Sequence, residues 1–409
     1  MDRTLLLFWT GVAWLAYTYA GYPLLLGLIT LMIRIRPVAR DDYLPTVSVL
    51  ISARNEQDDI GWKIAETLSW NYPPDKLQVL VASDASEDRT DEIVSGIRDS
   101  RLTLIRMERR GGKGRALNRL VQQAQGEVLF FTDANAHIPS HCLRRLVRHL
   151  ADERVGCVTG RTSYIRGADD NAISNGAVAY FGYESLVNGL EDKLGSVLAC
   201  DGAIFCMRRS LYTPVLPELA NDLELPLRIR QSGYWTRFEP QAFVLERDTE
   251  SPSQEFARRR RIAAQGALAF WKLRDTLSGW RGWQLVSHKF LRYLTPVPLF
   301  LVFISTAALA ERPAFAAFLG LQIVFYSLAV GGAISMMRRR AAGRLLSVPY
   351  YIVFGSLGSF VGILDACRGR RFDIWEIATL SRGETRRDSM NRFDAAVANA
   401  SDDKNARSN

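Results

Sequence analysis

Val47-Ser-Val-Leu-Ile-Ser52 is a short and almost wholly apolar run, and its length and composition are typical of a buried β-strand. Similar runs follow it along the chain, and helix-like segments separate them. The further strands are predicted at Leu77–Ser83, Leu102–Arg106 and Val128–Thr132, and the helices at Asp58–Trp70, Asp88–Arg98 and Lys113–Gln125. Because strands and helices that alternate at this spacing form a mostly parallel sheet with helices on both faces, the sequence predicts an α/β fold.

Polar residues stand where several of these strands end. Arg54 follows the first run, Asp84 follows the second, and Asp133 follows Val128–Thr132. In open α/β sheets, ligands bind outside the carboxyl ends of the strands. We therefore expect these three side chains to lie at one edge of the sheet, beside a bound ligand.

The tripeptide Asp133-Ala-Asn135 is a candidate metal site. A divalent ion that bridges a diphosphate prefers hard oxygen ligands, keeps several waters and needs only one or two carboxylates from the protein. The alternative is an aspartate that caps the turn after a strand. Asp133 and Asn135 are the predicted ligands.

Two further segments are candidates for binding a nucleotide. Asp84 could accept hydrogen bonds from a base or a ribose, although the turn that ends at Asp88 also has the pattern of a helix cap. Gly111-Gly-Lys-Gly114 opens a predicted helix, so its N–H groups and the Lys113 ammonium could meet a phosphate. The spacing is not that of a P-loop.

Asp222 is the candidate general base. It lies at the start of a predicted helix that begins at Asn221, where an acceptor hydroxyl could reach it. A helix cap is the alternative role for an aspartate at this place. Downstream, helical spacing would put Arg258 and Arg261 on one face and Arg259 and Arg260 elsewhere, so the first two could hold a leaving phosphate. The alternative for this run is a patch that contacts lipid headgroups.

The composition indicates a membrane protein. The chain has 409 residues, and four segments without formal charge are long enough to be considered as spans: Thr4–Ile33, Tyr293–Ala310, Pro313–Met337 and Leu345–Leu364. The first is too long for a signal-peptide core and is followed by arginines rather than by a cleavage site, so it is predicted to be a retained anchor. The net charge of +9 comes largely from cations at the ends of apolar segments, which disfavours a nucleic-acid partner.

The predicted organisation has five parts. They are a transmembrane anchor (1–40), a cytosolic domain (41–250), interfacial helices rich in Arg and Trp (251–289), a C-terminal transmembrane region (290–367) and a polar tail (368–409). The segment 345–364 contains Pro349 and several glycines, so the sequence leaves open whether it crosses the membrane or is re-entrant.

The ordered set of motifs resembles glycosyltransferase family 2, and the flanking spans resemble its membrane-embedded polysaccharide synthases, such as poly-N-acetylglucosamine and hyaluronan synthases. The motifs that carry the resemblance are Pro45–Glu56, Ser83–Asp88, Gly112–Asn118, Thr132–Asn135, Asp201–Ala203, Asn221-Asp222 with Gly233-Tyr234, and Phe256–Ile262.

The resemblance implies a GT-A fold, a nucleotide-diphosphate sugar donor with UDP as the expected nucleotide, Mg²⁺ or Mn²⁺ as cofactor, and inversion at the anomeric carbon. It places the nucleoside against Ala53, Arg54, Glu56 and Asp84. Asp133 would hold the metal and the diphosphate, Asp222 would be the base, and Arg258 with Arg261 would bind the diphosphate. The implied activity is transfer of a sugar to a growing cell-surface glycan at the cell inner membrane, with the catalytic domain in the cytosol and with possible export partners.

Several positions depart from the family pattern. Asn135 replaces a second metal-binding Asp, which weakens the predicted metal affinity, and the Gln-x-x-Arg-Trp motif of processive synthases is absent, because Arg261-Ile262 stands in its place. Two alternatives therefore remain: transfer of a single sugar to a lipid acceptor, and a catalytically silent membrane scaffold. The sugar, the acceptor, the linkage and the oligomeric state are not determined by the sequence.

Overall fold

A computed structural model describes residues 2–33, 35, 38–164, 172–246, 252–276, 278–338 and 343–372. The predicted polar tail is described only as far as residue 372, and the rest of it lies outside these ranges.

One seven-stranded sheet forms the centre of the protein, with strand order β3-β2-β1-β4-β6-β5-β7. β1 is parallel to both β2 and β4, and β2 is parallel to β3. β6 runs antiparallel to its neighbours β4 and β5, and β5 is parallel to β7. The strands are β1 (Val47–Ala53), β2 (Leu77–Ser83), β3 (Leu102–Arg106), β4 (Val128–Asp133), β5 (Val155–Tyr164), β6 (Phe205–Arg208) and β7 (Trp235–Glu246).

Helices flank the sheet and extend beyond it at both ends of the chain. In chain order they are α1 (Arg3–Ala16), α2 (Tyr22–Met32), α3 (Ile60–Leu68), α4 (Thr90–Gly96), α5 (Lys113–Val121), α6 (Cys142–Val147), α7 (Ala172–Lys193), α8 (Asn221–Gln231), α9 (Pro252–Lys272), α10 (Gly279–Leu285), α11 (Leu291–Tyr293), α12 (Pro296–Ala308), α13 (Pro313–Met337) and α14 (Arg344–Cys367).

The sheet is buried on both faces, as the apolar run in β1 predicts. Successive side chains of a strand point to opposite faces. Val49 and Ile51 accordingly pack in one core with Ile64 of α3, whereas Leu50 packs in a second core with Leu117 of α5. The α/β prediction is confirmed, and the first four predicted strands agree with β1 to β4 within a residue or so at each end.

Beyond Val155 the sequence predicted less than the structure shows. β5 was not predicted. The apolar pattern predicts only a short strand near Trp235–Phe238, whereas β7 continues to Glu246. Glycines interrupt β5, and residue 160 must be small because a Cβ there would meet the carbonyl oxygen of Ala242 at 2.5 Å. A strand broken by glycines lacks the apolar alternation by which strands are predicted.

Among the residues that the structure describes, three helical segments are long and apolar enough to cross a membrane: Arg3–Met32, Pro313–Met337 and Arg344–Cys367. The predicted span at Tyr293–Ala310 corresponds to α12, which has only 13 residues and is bent by 59° from the helical segment Gly279–Tyr293 before it. A straight span needs about 20 residues. The two segments could therefore make a fourth span only as a broken pair.

α14 is a single continuous helix, despite Pro349, so the segment left open by the sequence is not a helical hairpin. In its most apolar window 56% of the residues are buried within the protein, against 6% for α13. A Cβ on Gly362 would overlap the carbonyl oxygen of Arg260 in α9, and one on Gly358 would lie 3.1 Å from that of Phe256. α9 and α14 therefore touch backbone to backbone, as helices do where small residues face each other.

Candidate active site

The carboxyl ends of three parallel strands form the floor of the candidate site. In the sheet register, Ala53 at the end of β1 lies opposite Ser83 of β2, and Ser52 lies opposite Asp133 of β4. The residues that follow these strands therefore begin at the same edge. Arg54, Asp84 and Asp133 lie there, as their positions after the apolar runs predict.

Arg54 and Asp84 join three loops at this edge. Asp84 accepts hydrogen bonds from the N–H groups of Gly111 (2.6 Å) and Gly112 (2.8 Å), one on each carboxylate oxygen. Arg54 donates to the carbonyl oxygen of Asp84 (2.8 Å) and to the carboxylate of Glu87 (2.8 Å). Gly112 has φ = 81°, a conformation that favours glycine and lets the loop turn onto Asp84.

The other two residues predicted to contact the nucleoside lie beside Arg54. Ala53 is buried, with 2% of its surface exposed, and its carbonyl oxygen accepts a hydrogen bond from the N–H of Asp84 (2.9 Å). The N–H of Glu56 donates to the hydroxyl of Thr90 (2.8 Å), which fixes the start of the segment that leads to α3. The nucleoside-binding role of these residues stays a prediction.

Lys113 and Asp133 form an ion pair, with 2.5 Å between Nζ and Oδ1. Lys113 is the first residue of α5, so its ammonium and the helix start both present positive charge at the ends of β1 and β4. This pair places the ammonium of Lys113 next to Asp133, the predicted metal ligand. Neither side chain is deeply buried, so a diphosphate could reach both.

The donor set suits a metal ion only in partnership with a diphosphate. Asp133 offers a carboxylate, and Asn135 offers an amide oxygen on an exposed side chain two residues later. Within the described ranges, no three His, Cys, Asp or Glu side chains are grouped so that they could hold a metal ion. Mg²⁺ and similar cations in phosphate sites often take just one or two protein carboxylates, so these residues fit such an ion when the substrate supplies further oxygens.

Asp222 lies in the first turn of α8, after Ala220 at the N-cap position, so it is not the capping residue that the sequence alternative proposed. Gly202 approaches its carboxylate: a Cβ at that glycine would lie 3.0 Å from Oδ2 of Asp222. Burial raises the pKa of Asp222, the charges of Lys113 and Lys289 oppose this rise, and the charge of Asp133 adds to it. Asp133, Lys113 and Asp222, far apart in sequence, therefore share one electrostatic environment.

Asp201 is a further carboxylate in this environment, and its sequence context predicts no role for it. It accepts hydrogen bonds from the hydroxyl of Thr162 (2.5 Å) and from the N–H of Ala203 (3.2 Å). Burial, opposed by those hydrogen bonds and aided by the charges of Asp222 and Asp133, raises the pKa of Asp201 to about 6. The sequence feature that could have indicated a site at Asp201 is the glycine after it, because a glycine permits another chain segment to approach closely.

The four consecutive arginines of α9 point in different directions. Burial lowers the pKa of Arg261, and the charge of Arg258 lowers it too, whereas the carboxylates of Asp222 and Asp133 raise it. Arg261 thus lies within electrostatic range of the site. Arg258 donates to Glu255 (2.9 Å), one turn back on the same helix.

Arg259 and Arg260 face away from the site. Arg259 donates to Glu255 (2.8 Å) and stacks on the rings of Tyr180 and Tyr351, with 4.3 and 4.7 Å to the ring centroids. Arg260 pairs with Asp365 of α14, with 3.0 Å between Nη2 and Oδ1. These two arginines connect α9 with α7 and α14.

Comparison with known proteins identifies the part of the chain that carries Arg54, Asp84, Lys113 and Asp133, whereas Asp222 and Arg261 lie beyond the residues matched. Residues 48–212 match the family model for glycosyl transferase family 2. The chain is 29% identical over 218 residues to probable glycosyltransferase YdaM of Bacillus subtilis, which covers 51% of this chain and 52% of that protein. It is also 32% identical over 142 residues to beta-monoglucosyldiacylglycerol synthase of Synechocystis. This aligned segment covers 34% of this chain and 28% of that protein. The chain thus spans about half the length, or less, of these curated relatives.

A solved structure shares the fold over nearly its whole length. The mannosyltransferase PcManGT from Pyrobaculum calidifontis, in complex with GDP-Man and Mn²⁺, superposes with a TM-score of 0.64 at 23% identity, over 86% of this chain and 98% of that one. The expected fold is confirmed, and the expected family matches residues 48–212. Residues 48–212 therefore form a glycosyl transferase family 2 domain, and the chain has the GT-A fold.

Proposed function

We propose that this protein is a membrane-bound inverting glycosyltransferase that transfers a sugar from a nucleotide-diphosphate donor to an acceptor hydroxyl. One observation carries the proposal: side chains from four separate segments meet at the edge of the sheet. Lys113 pairs with Asp133, the charges of both act on the pKa of Asp222, and the charges of Asp133 and Asp222 act on the pKa of Arg261. A carboxylate base beside cations that can bind a diphosphate is the arrangement such a transfer needs.

Asp222 acts as the general base. Its carboxylate accepts the proton of the acceptor hydroxyl while the hydroxyl oxygen forms a bond to the anomeric carbon of the donor. The bond from that carbon to the diphosphate oxygen breaks on the opposite side, so the configuration inverts in a single displacement. The raised pKa of Asp222 suits this role, because a base works best when its pKa lies near the working pH.

The diphosphate leaves with the electrons of the broken bond, and cations stabilise the charge that develops on it. Lys113 lies at the ends of the parallel strands, and Arg261 reaches the same region from α9, with Arg258 one turn before it. Asp133 and Asn135 would hold Mg²⁺ or Mn²⁺ together with the donor, and the ion would supply further positive charge at the diphosphate. Arg54, Asp84, Glu56 and Ala53 would surround the nucleoside, for which UDP is the expected nucleotide.

The acceptor is proposed to be a growing cell-surface glycan, in line with the resemblance to membrane polysaccharide synthases. The protein would lie in the inner membrane with its GT-A domain in the cytosol, and three helices long enough to span support this placement. Transfer of one sugar to a lipid is the second candidate. An apolar cavity between α9, α13 and α14 favours it.

Asp222→Asn tests the proposal in the purified full chain, reconstituted in vesicles and supplied with a panel of nucleotide sugars. Asp91→Asn is a matched control, because Asp91 is also the second residue of its helix but pairs with Arg106 (3.0 Å) away from the site. We expect Asp222→Asn to lower turnover by about 100-fold or more while nucleoside diphosphate affinity stays near that of the wild type. Asp91→Asn should leave both unchanged.

Release of nucleoside diphosphate and transfer of labelled sugar are the measurements. Near wild-type turnover in Asp222→Asn would remove the base assignment. No release above background from any donor in the panel would instead favour the catalytically silent scaffold.

A further inference from the structure

Glu191 of α7 is a completely buried carboxylate to which the proposed reaction assigns no role. It is bonded to three segments that are far apart in the chain. The hydroxyl of Tyr22 in α2 donates to it (2.6 Å), Nδ1 of His288 lies 2.9 Å from the same oxygen, and the N–H of Leu198 donates to the other oxygen (3.1 Å). A buried charge is tolerated only when such partners surround it. Glu191 therefore fixes where these three segments meet.

His288, which lies between α10 and α11, joins Glu191 to a second buried carboxylate. Its Nε2 lies 3.2 Å from Glu184 of α7. The ring can donate to both carboxylates only as an imidazolium, because each ring nitrogen then carries a proton. Burial raises the pKa of Glu191, but the charge and the hydrogen bond of His288 outweigh burial and hold that pKa below its usual value. Lys289 (3.3 Å) and Arg292 also pair with Glu184, so each carboxylate of the cluster faces cations.

A short stretch of backbone leads from Glu191 to the proposed base. Two residues after Leu198, the N–H of Cys200 donates to the carbonyl oxygen of Asp222 (2.8 Å). Gly202 then lies against the carboxylate of the same aspartate. A shift of Leu198 would therefore move the backbone that supports the base.

The cluster also acts on Asp222 through its charge. Lys289 follows His288 in the chain and pairs with Glu184. Burial raises the pKa of Asp222, and the charges of Lys113 and Lys289 oppose that rise. The cluster therefore lies within electrostatic range of the base, in addition to its connection through the backbone.

Tyr22 brings the N-terminal segment into this arrangement. It is the first residue of α2 and belongs to Arg3–Met32, which is long and apolar enough to cross a membrane. Tyr22 is 1% exposed, so its hydroxyl reaches Glu191 without competition from water. Hydrogen bonds and a short stretch of backbone thus connect a candidate span with the base.

We propose that Glu191 is a positioning residue for the transfer reaction. It fixes the stretch 198–200 and thereby holds Asp222 in place, and Tyr22 of the N-terminal segment completes the set of donors around it. The catalytic consequence rests on the proposed function, whereas the hydrogen-bonded connection does not. Weakening this connection should slow transfer and leave nucleoside diphosphate binding unchanged, because the cations proposed to bind the diphosphate lie on α5 and α9.

Tyr22→Phe removes one hydroxyl of the connection and keeps the ring. Tyr17→Phe is the matched control, because Tyr17 lies in the same N-terminal helical segment and its hydroxyl is bonded to Oγ of Ser287 (2.8 Å), not to Glu191. Each variant therefore loses one hydrogen bond between the N-terminal segment and the rest of the protein. Glu191→Ala, which removes the acceptor itself, is a second variant.

Hydrogen exchange of the full chain in phosphatidylcholine vesicles measures the connection without any substrate. Backbone amides exchange faster where the hydrogen bonds around them open more easily. We expect the peptide that covers residues 196–203 to exchange about tenfold faster in Tyr22→Phe, since one hydrogen bond to a charged group changes an equilibrium by about that factor. Glu191→Ala should increase the exchange further, and Tyr17→Phe should match the wild type.

Turnover measures the catalytic consequence, with the nucleotide sugar that the wild type uses best from the panel. At saturating donor, Tyr22→Phe should lower turnover about tenfold, because a small displacement of a catalytic group is enough for such a loss. Its affinity for the nucleoside diphosphate should stay that of the wild type. A general loss of folded protein would lower both quantities, so their separation reports positioning of the base. Tyr17→Phe should change neither.

Equal exchange of residues 196–203 in Tyr22→Phe and Tyr17→Phe would overturn the connection. Faster exchange in Tyr22→Phe together with wild-type turnover would overturn the positioning role. A wild type that releases no nucleoside diphosphate from any donor would refute the proposed function, and the exchange measurement would still decide by itself whether α2 is connected to the segment that supports Asp222.

Discussion

The sheet edge and the α9–α14 contact both place charged side chains beside the candidate site, but they do so by different physical means. At the sheet edge, Asp84 and Asp133 follow strands whose register is set by backbone hydrogen bonds. At the α9–α14 contact, Arg261 is oriented by the pitch of α9, and α9 is held by Gly362, Asp365 and Tyr351 of a helix far along the chain.

The difference shows which parts of the site tolerate change. A strand end is supported by neighbouring strands on both sides, so substitutions there alter chemistry more than position. α9 depends on side-chain contacts with a helix that could cross a membrane, so substitutions there alter position first. We therefore expect changes at the sheet edge to act on metal and donor binding, and changes in α14 to act at a distance through α9.

Asp133→Ala at the sheet edge should have the largest effect. It removes the predicted metal ligand and frees Lys113 from its ion pair, so we expect metal-dependent affinity for a nucleoside diphosphate to fall about 100-fold. Titration of the nucleotide with Mn²⁺ and with EDTA measures this. Equal affinities of the wild type in Mn²⁺ and in EDTA would contradict the metal assignment.

Gly362→Ala tests the other region. The added Cβ would overlap the carbonyl oxygen of Arg260, so α9 must shift, and overpacking of this kind costs about 2 kcal/mol. We expect a lower unfolding temperature in detergent together with weaker nucleotide binding. Gly320→Ala on α13, where a Cβ meets nothing within 4 Å, should change neither measurement. Destabilisation without any loss of nucleotide affinity would show that α14 does not position the site.

The same contrast explains how much the sequence could predict. β1, β2 and β4 are continuous apolar runs, so Asp84 and Asp133 could be placed at strand ends from pattern alone. Asp201 could not, because it acquires its neighbours through β5 and β6, where the pairing is antiparallel and glycines break the pattern. Apolar composition also predicted a span at Tyr293–Ala310, where the structure has the shorter helix α12. The 59° bend before α12 does not change the hydropathy of the segment, so it could not be predicted from composition.

Arg261→Ala sharpens the comparison within α9 itself. Removing this guanidinium should weaken nucleoside diphosphate binding about tenfold, as expected for one charge-assisted contact to phosphate. Arg260→Ala is the control of equal charge, because Arg260 pairs with Asp365 away from the site. Isothermal titration of both variants measures the difference. Equal losses of affinity in the two variants would mean that the four arginines act through their total charge and that Arg261 does not contact the donor.

The smallest expected effect is a shift in the pH profile of Asp201→Asn. The acid limb of the activity profile should report protonation of Asp222, whose pKa is raised by burial, so activity falls as the pH drops through that raised value. Asp201 titrates near pH 6, and above this its negative charge opposes ionisation of Asp222. Asparagine removes that charge, so the pKa of Asp222 should fall and the acid limb should move to lower pH by less than about one unit.

Asp91→Asn, outside the site, should leave the limb in place. A limb that moves to higher pH in Asp201→Asn would show that the amide lost a stabilising contact instead, and that the two carboxylates do not titrate together.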